Sequence, residues 1–438
     1  MGEALTKGMT MRLLQRWSTA RIILIAFTFS EFGSTMAGFA LPIVYIAQTH
    51  NLAGAGLLAG VGAAAMFVGN LVGGLIADAR SKRVFLFVFG CADPVFEIAL
   101  VLLIVRGAFA PAVWAPLIAL MFFCNAAEGS IESTSLRLVV DEAELAAIMG
   151  LRQTRAYLCT FLGPVAGGVL ASINPALPFG VTAVTGVIGM LILLPVRREE
   201  RLARIEGSAE SKVDAILGGL SDMRHSRVLL VAALIFFFVP FALNGVLDVF
   251  TFGLANAEVA PWLISSLPVA VGLGGIAGSI VVPIVLKKYP LRAGHSTLVV
   301  MAAIAVLCVL MVVIPAWAVR LVLVALIAAL APLANPLFSF VMAYVPPERQ
   351  GRDISLISAL NLLPGVVTGP VAAALLPSMG AGTILVLAAP MLISVVLLLV
   401  TPALRNIPPT DEWAGYIAGL RGKGGVGEQG GMSERDDV

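Results

Sequence analysis

Long apolar runs, separated by short polar stretches, make up most of this chain. A helix needs about 20 consecutive apolar residues to cross the hydrocarbon core of a bilayer. By that measure the pattern predicts twelve membrane-spanning helices, called spans 1 to 12 below. They cover residues 21–48, 52–77, 83–105, 111–138, 145–172, 176–196, 227–251, 262–286, 293–315, 317–344, 352–376 and 380–402. The sequence therefore predicts an all-α membrane protein.

Composition agrees with a membrane protein, because 59% of the residues are hydrophobic and only 12% are charged. A soluble domain carries roughly 25% charged residues. The four cysteines stand in apolar runs without paired spacing, so we expect neither a disulfide nor a metal site. The sequence also lacks a P-loop and a catalytic triad. We expect no enzymatic activity and no cofactor, and active transport would then draw on an ion gradient.

The positive charges indicate how the chain is oriented. Nearly all Lys and Arg residues, Arg152 and Arg155 among them, fall on the same side of the predicted spans; only Arg106 and Arg320 fall on the other. Cations concentrate on the cytoplasmic side of membrane proteins. We therefore expect both termini to be cytoplasmic. The net charge of +2 gives no indication of nucleic-acid binding.

One long polar stretch divides the spans six and six. The predicted segments are a cytoplasmic N-terminal segment (1–20), an N-terminal bundle (21–196), a cytoplasmic linker with an amphipathic helix (197–226), a C-terminal bundle (227–402) and a cytoplasmic tail (403–438). Landmarks recur between the halves with nearly one offset: Gly278 stands where Gly69 would fall, and Gly369-Pro370 repeats Gly163-Pro164. This indicates a duplicated six-helix unit. In the tail, Trp413, Tyr416, Ile417 and Leu420 form an apolar stripe suited to the headgroup boundary.

Span 2 ends in small residues followed by charges. The run from Gly69 to Arg83 reads Gly-Asn-Leu-Val-Gly-Gly-Leu-Ile-Ala-Asp-Ala-Arg-Ser-Lys-Arg. Gly69 and Gly73 form a small-xxx-small pair, which predicts close packing of span 2 on a neighbouring helix. The charges that follow predict a short basic turn at the membrane surface.

This turn resembles the loop signature of the major facilitator superfamily, Gly-x-x-x-Asp-Arg/Lys-x-Gly-Arg/Lys-Arg/Lys. Ala79 and Ser81 depart from the signature. The resemblance implies two six-helix repeats around a central cavity lined by spans 1, 4, 7 and 10. It also implies a cytoplasmic latch between this loop and the start of span 11. The residues expected in the loop and at its partners are Gly74, Asp78, Arg80, Lys82, Arg83, Asp141 and Arg352.

Ionisable residues inside spans are costly and are therefore candidate functional residues. Glu31 lies near the middle of span 1, and Asn125, Glu128 and Glu132 share one face of span 4. The resemblance directs these side chains towards the central cavity. Since burial disfavours the charged form of a carboxyl group, they are candidates for proton coupling. The alternative is that they form a polar stripe that wets the cavity without titrating.

Further polar residues lie in other spans. Asp93 and Glu97 stand on span 3, which is usually peripheral in this fold. We expect them to turn against span 2 or to pair with a cation. A structural polar contact is the favoured interpretation, and a role in proton coupling is the alternative. Asn244 and Asp248 on span 7 and Asn335 on span 10 are expected to be polar points in a mostly apolar cavity.

Two further resemblances bear on direction and substrate. The span 5 motif Gly163-Pro164-x-x-Gly167-Gly168 is similar to one associated with antiporters, and its glycines are expected to pack at the interface between the halves. Residues 65–78 and 346–352, together with the amphipathic linker, resemble the bacterial enterobactin-exporter-like branch. That resemblance implies an inner-membrane location and a siderophore-like or drug-like substrate.

The sequence thus favours a monomeric, proton-coupled antiporter that exports a small amphipathic or siderophore-like molecule by alternating access. Its expected partners are the substrate, protons and the lipid bilayer. Two alternatives stay open. One is an uptake or facilitated-diffusion carrier for a metabolite, and the other is a receptor or assembly factor that has a transporter fold but transports nothing.

Overall fold

The computed structural model describes residues 2–76, 82–140, 142–194, 224, 226–288, 292–346, 357, 360–408 and 412–425. Within these residues all regular structure is helical, and no strand is present. The prediction of an all-α chain is therefore confirmed.

Each of the first six predicted spans corresponds to one helix. These helices are α1 (Gly2–Thr49), α2 (Leu52–Ile76), α3 (Lys82–Val105), α4 (Pro111–Val139), α5 (Glu142–Ile173) and α6 (Leu177–Leu193). Helix α1 begins well before the predicted start of span 1, because the polar residues that precede the apolar run also adopt helical structure.

The second half of the chain contains more breaks. Its helices are α7 (Arg227–Asn256), α8 (Pro261–Ile264), α9 (Ser266–Lys288), α10 (Ala293–Val313), α11 (Trp317–Leu330), α12 (Asn335–Tyr344), α13 (Pro364–Met379), α14 (Thr383–Ala388), α15 (Pro390–Val400), α16 (Pro402–Arg405) and α17 (Trp413–Gly425). Predicted span 10 is divided into α11 and α12 by a 3-10 turn, Ala331–Ala334. Pro332 and Pro336 lack the N–H group that would continue the helical hydrogen bonds there.

Ten described helical segments are long and apolar enough to cross a membrane. One of them, Pro364–Val400, contains α13 to α15 and is broken at Gly380, where φ is 51°. Dividing it there and adding the shorter apolar helix Leu177–Leu193 gives a count consistent with the twelve predicted spans. The chain is a multi-pass membrane protein.

Contacts divide the chain into two compact units. The first contains described residues within Met1–Ala209, Asn244–Gly272 and Leu362–Thr383; the second contains those within Glu210–Leu243, Leu273–Asn361 and Ile384–Val438. The first unit thus holds α1 to α6, the C-terminal part of α7 from Asn244 onward, the start of the α8–α9 segment and α13. Most of the predicted 197–226 linker lies outside the described residues, so that boundary stays a prediction.

Glycines bring α2 and α4 together within the first unit. A Cβ atom added to Gly73 would lie 2.5 Å from the Cα of Ala127, and one added to Gly69 would lie 3.0 Å from the Cα of Phe123. The close packing predicted from this glycine pair is therefore present. In the second unit, a Cβ on Gly278 would lie 2.8 Å from the Cα of Ala329 on α11. The second copy of the repeat thus keeps this main-chain approach.

The first unit also contains a contact between α2 and α13. A Cβ on Gly56 would lie 2.9 Å from the carbonyl oxygen of Gly369, and one on Gly60 would lie 2.8 Å from that of Val366. Here again main chain approaches main chain. We call this contact the α2–α13 seam.

The tail helix α17 corrects one prediction. We expected the stripe containing Trp413 and Tyr416 at the headgroup boundary, but both rings pack on Phe340 of α12, with centroid separations of 5.6 and 6.1 Å. Ile417 is also buried, at 7% exposure. Helix α17 therefore uses this stripe to pack on the protein, because a neighbouring aromatic ring offers the apolar surface that the stripe requires.

Candidate functional site

An ion-pair cluster joins α1, α4 and α5. Arg155 Nη2 lies 2.7 Å from Glu31 Oε2, and Arg155 Nη1 lies 2.6 Å from Glu132 Oε1. Arg155 Nη2 also donates a hydrogen bond to Glu132 Oε2 at 3.0 Å. One guanidinium group thus pairs with two carboxylates, in the fork geometry that makes Arg–carboxylate pairs strong.

The same cluster includes a second cation. Arg152 Nε lies 3.2 Å from Glu132 Oε2. Glu132 is 1% exposed and Arg155 is 8% exposed, so most of this charge is removed from solvent. Two carboxylates and two guanidinium groups balance each other, which lowers the cost of burying them.

Arg155 was missed as a site residue. We expected Arg155 to be one of the cytoplasmic cations that set orientation, whereas the structure buries it on α5 between Glu31 and Glu132. The signal was available, because Arg155 lies within predicted span 5 and an intramembrane cation is as costly as an intramembrane acid.

A second group of buried acids has no cation to balance its charge within the described residues. Asp93 and Glu97 on α3 are 3% and 1% exposed, and Glu128 on α4 is 4% exposed. None of the three forms an ion pair with a cation in the part of the chain that the structure describes. Ser30 on α1 donates a side-chain hydrogen bond to Glu128. We call Asp93, Glu97 and Glu128 the unpaired acids.

The position of Asp93 and Glu97 differs from what we expected. We predicted that they would turn against span 2 or pair with a cation. Helix α3 instead packs mainly on α4 and α6, and within the described residues no cation reaches either acid. Burial between helices brings these two residues to the same region as Glu128, and Asp93 acts electrostatically on both Glu97 and Glu128.

A cavity of about 410 Å³ lies inside the first unit, between α1, α2, α3, α4 and α5. Three acids, Glu31, Asp93 and Glu97, contribute to its wall. The remaining lining residues are Ser34, Thr35, Gly38, Met66, Met121, Phe122, Asn125, Thr160 and Pro164. Within the described structure Glu97 Oε2 has no hydrogen-bond partner.

A smaller void adjoins the unpaired acids. It measures about 10 Å³, and Ser30, Asp93 and Glu128 are among the residues that line it. A volume of about 10–15 Å³ is the least that holds one water molecule. Asp93 lines both the void and the cavity, so it connects Glu128 to the larger space.

The polar stripe on α4 faces three environments. Asn125 lines the cavity and donates a hydrogen bond from Nδ2 to Ser34 Oγ at 2.5 Å. Glu128 lines the small void, and Glu132 belongs to the ion-pair cluster. Three residues on one helical face thus make three different kinds of contact: Asn125 and Glu128 both reach serines of α1, whereas Glu132 reaches Arg155 of α5.

The candidates in the second half of the sequence do not line this cavity. Asp248 on α7 lies beside the hydroxyl group of Thr368 on α13. Asn244 is half-buried one turn earlier, and Asn335 is exposed at the start of α12. A role for these three residues stays a prediction.

The span 5 motif packs in two directions. A Cβ on Gly167 would lie 2.6 Å from the carbonyl oxygen of Met36 on α1, and Gly163 also packs on α1. Of the three glycines, only Gly168 approaches the second half of the sequence, with a Cβ position 2.6 Å from the carbonyl oxygen of Pro261. The carbonyl oxygen of Pro164 accepts a hydrogen bond from Ser265 Oγ at 3.0 Å. Much of this motif therefore packs α5 on α1, where we had expected the interface between the halves.

The cytoplasmic latch lies largely outside the described residues. Asp78, Arg80, Asp141 and Arg352 fall there, and the side chains of Lys82 and Arg83, at the start of α3, are not described either. Gly74 belongs to the last turn of α2. The latch therefore stays a prediction, as does the amphipathic helix of the linker.

Comparison with solved structures finds transporters of similar fold. A nucleoside transporter, NupG, superposes with a TM-score of 0.65 at 13% identity and covers 87% of this chain and 98% of its own. A POT family transporter in complex with 5-aminolevulinic acid has a TM-score of 0.64 at 14% identity and covers 88% and 96%. A bacterial homolog of the human lysosomal transporter Spinster has a TM-score of 0.58 at 15% identity, with coverages of 93% and 97%. At these identities the likeness shows the fold alone.

Comparison of sequences gives the family. The profile described as Major Facilitator Superfamily matches residues 23–367, which is most of the chain. A search of curated proteins finds no significant match, so the comparisons do not support the enterobactin-exporter-like branch. The fold implied by the loop signature is confirmed, and the protein is a transporter, not an enzyme. The chain belongs to the Major Facilitator Superfamily.

Proposed function

We propose that this protein is a proton-coupled antiporter that exports a small amphipathic or siderophore-like molecule by alternating access. The observation that carries the proposal is the presence of Asp93, Glu97 and Glu128, three buried acids without a cation partner in the described structure. Two of the three line a cavity of about 410 Å³. The proposal further places a monomer in a bacterial inner membrane with both termini in the cytoplasm.

The reasoning starts from the cost of charge. An ionised carboxylate buried without a cation is strongly disfavoured, whereas the protonated form carries no net charge. The unpaired acids are therefore suited to hold protons and to release them when solvent or a cation reaches the cavity. Asp93 lines both the void and the cavity, which supports a short proton route between Glu128 and the larger space.

Glu31 offers a way to couple protons to helix movement. Its carboxylate lines the cavity and pairs with Arg155 of α5 at 2.7 Å. Protonation of Glu31 would remove one of the two charges that hold Arg155. A proton bound in the cavity would thus weaken the contact between α1 and α5, while Glu132 would still hold the guanidinium group.

Transport into inverted membrane vesicles tests the proposal. With an acidic interior and a panel of amphipathic dyes and siderophores, we expect at least one compound to accumulate and to be lost when the gradient collapses. Glu31→Gln and Glu128→Gln should each lower the gradient-driven rate by at least tenfold, because glutamine cannot carry the proton. Glu258→Gln, at an exposed surface position, should leave the rate unchanged.

Several outcomes would contradict the proposal. If both variants kept the full gradient-driven rate, neither Glu31 nor Glu128 would couple transport to protons. A transport rate that did not depend on the proton gradient would favour a facilitated-diffusion carrier. Accumulation of substrate in the opposite direction would favour uptake.

A further inference from the structure

The wall of the cavity carries more acidic side chains than the described residues pair with cations. Of its three acids, Glu31 is already paired with Arg155. Asp93 and Glu97 line the same cavity and have no ion-pair partner among the described residues. The described residues therefore supply two carboxyl groups at one side of the cavity and no cation for either.

Among the described residues, Glu97 lacks a hydrogen-bond donor for one carboxylate oxygen at this side of the cavity. Its side chain is 1% exposed, and Oε2 has no hydrogen-bond partner within the described chain. Buried carboxylate oxygens normally accept hydrogen bonds, and leaving one without a donor is costly. A ligand that brings positive charge or a donor group would complete this site, whereas an anionic ligand would add to the imbalance.

The rest of the wall suits an apolar body. Met66, Met121 and Phe122 line the cavity together with the small polar residues Ser34 and Thr160. Methionine adapts to irregular ligand shapes. An aromatic ring attracts a cation that lies over its face. Ligand pockets measure about 300–1,000 Å³, so a cavity of about 410 Å³ has room for a compact organic molecule.

We infer that this cavity binds an amphipathic organic cation. Its positive charge pairs with Asp93 and Glu97, and its apolar body packs against the methionine and phenylalanine side chains. The inference rests on the proposed export function and narrows the substrate from any amphipathic molecule to a positively charged one. It assigns the ligand to Asp93 and Glu97 and not to Glu31, whose carboxylate is already paired with Arg155.

Binding of two probes of one shape and opposite charge tests the inference. Tetraphenylphosphonium and tetraphenylborate share their size and geometry but carry +1 and −1. We would measure the binding of each to the purified full chain in detergent by equilibrium dialysis, with empty micelles as the blank. We expect saturable binding of the phosphonium, at least tenfold tighter than that of the borate.

Variants then assign the site. Asp93→Asn and Glu97→Gln should each weaken phosphonium binding by at least tenfold, and Glu97→Asp, which keeps the charge, should retain most of it. Glu258→Gln should bind as the unchanged protein does, because this exposed residue lies outside the cavity. Gel filtration of each variant checks that it remains folded.

The inference is overturned if the borate binds as tightly as the phosphonium, a comparison that needs no variant. It is also overturned if a folded Asp93→Asn/Glu97→Gln variant binds the phosphonium as well as the unchanged protein. Its failure is distinguishable from failure of the proposed function. Phosphonium binding that depends on Asp93 and Glu97, without gradient-driven flux in vesicles, would refute antiport but leave the cation site supported. Gradient-driven flux without such binding would refute the cation site but leave antiport supported.

Discussion

Arg155 holds two carboxylates on two different helices. It contacts Glu31 on α1 and Glu132 on α4, and Glu132 is almost fully buried. A buried ion pair adds little stability when both partners are present, because desolvation offsets the attraction. Removal of one partner is different, since it leaves the others charged in an apolar interior. Arg155 is therefore the residue of this cluster whose loss should matter most.

Arg155→Gln should lower the free energy of unfolding by about 3–5 kcal/mol, the usual cost of breaking a buried pair. Thermal unfolding in detergent, followed by tryptophan fluorescence, measures the change. Arg152→Gln is the matched control: its side chain is 29% exposed and meets only one of the two carboxylates, so the loss should be much smaller.

The double variant Arg155→Gln/Glu132→Gln completes this test. Because it leaves one carboxylate, Glu31, and one cation, Arg152, the cluster is again balanced in charge, so the double variant should recover part of the stability lost in Arg155→Gln. An Arg155→Gln protein that melted at the unchanged temperature would show that the cluster does not hold α1, α4 and α5 together.

At the scale of single residues, the buried acids could be predicted from the sequence, but the side chains that contact them could not. Glu31 and Glu128 were identifiable because a carboxyl group inside an apolar run is unusual. The destination of Asp93 was not predictable, since the rotation and tilt of α3 decide whether it faces lipid, α2 or α4, and these depend on packing along the whole helix. Arg155 was visible in the sequence but was assigned to topology.

Helix α2 depends on glycine at the points where it meets α4. Gly73 lies so close to Ala127 that no side chain fits without moving one helix. Close approach of this kind gives membrane helices their van der Waals contact, because lipid provides no hydrophobic drive for association.

Gly73→Ala should therefore lower the melting temperature in detergent, even though alanine is the better helix former by about 1 kcal/mol. Gly129→Ala on α4 is the matched control, because a Cβ there meets nothing within 4 Å. That variant should melt at the unchanged temperature or above it. Equal melting temperatures for the two variants would contradict the packing role of Gly73.

The second six-helix repeat allows the same comparison between a tightly packed glycine and an unobstructed one. Gly278 meets the main chain of Ala329, whereas a Cβ on the neighbouring Gly275 would meet nothing within 4 Å. Gly278→Ala should be destabilising and Gly275→Ala should not. Agreement between the copies would show that the duplicated unit kept its packing although it lost the Asp78 carboxylate, which Lys287 replaces.

At the scale of elements, apolar length predicted most helices well. It did not predict the 3-10 turn at Ala331–Ala334 or the packing of α17 on Phe340. Both depend on local detail: two prolines remove backbone donors at the turn, and the stripe on α17 is equally compatible with lipid headgroups and with an aromatic ring. Hydropathy does not distinguish these surfaces.

For the whole molecule, alternating access requires that some contacts part in each cycle. The α2–α13 seam joins helices from the two halves of the sequence within the first unit. The α2–α4 contact, by contrast, joins helices of one repeat and should persist throughout the cycle. Cross-links at the two places should therefore have different effects.

A disulfide between Ala63→Cys and Gly365→Cys should stop transport, and reduction should restore it. A Cβ on Gly365 would lie 3.3 Å from the Cβ of Ala63, close to the separation of about 3.5–4.5 Å found in disulfides. The vesicle assay described above measures the rate before and after oxidation.

The control cross-link joins Gly62→Cys and Ile118→Cys, on α2 and α4, where a Cβ on the glycine would lie 3.4 Å from Ile118 Cγ2. Transport should continue when it forms. Continued transport with the α2–α13 cross-link complete would mean that this seam does not open during the cycle.

The composition of the α2–α13 seam affects the free-energy cost of opening and closing it. Gly56 and Gly369 bring two main chains close together, and the nearest side chains there are the methyl groups of Ala373 and Ala59. Ordering a long side chain costs up to about 2 kcal/mol in lost rotamer freedom, whereas glycine has no rotamers to lose. A surface of this kind has almost nothing to rearrange when it closes, so it can form and dissolve repeatedly with little entropic penalty.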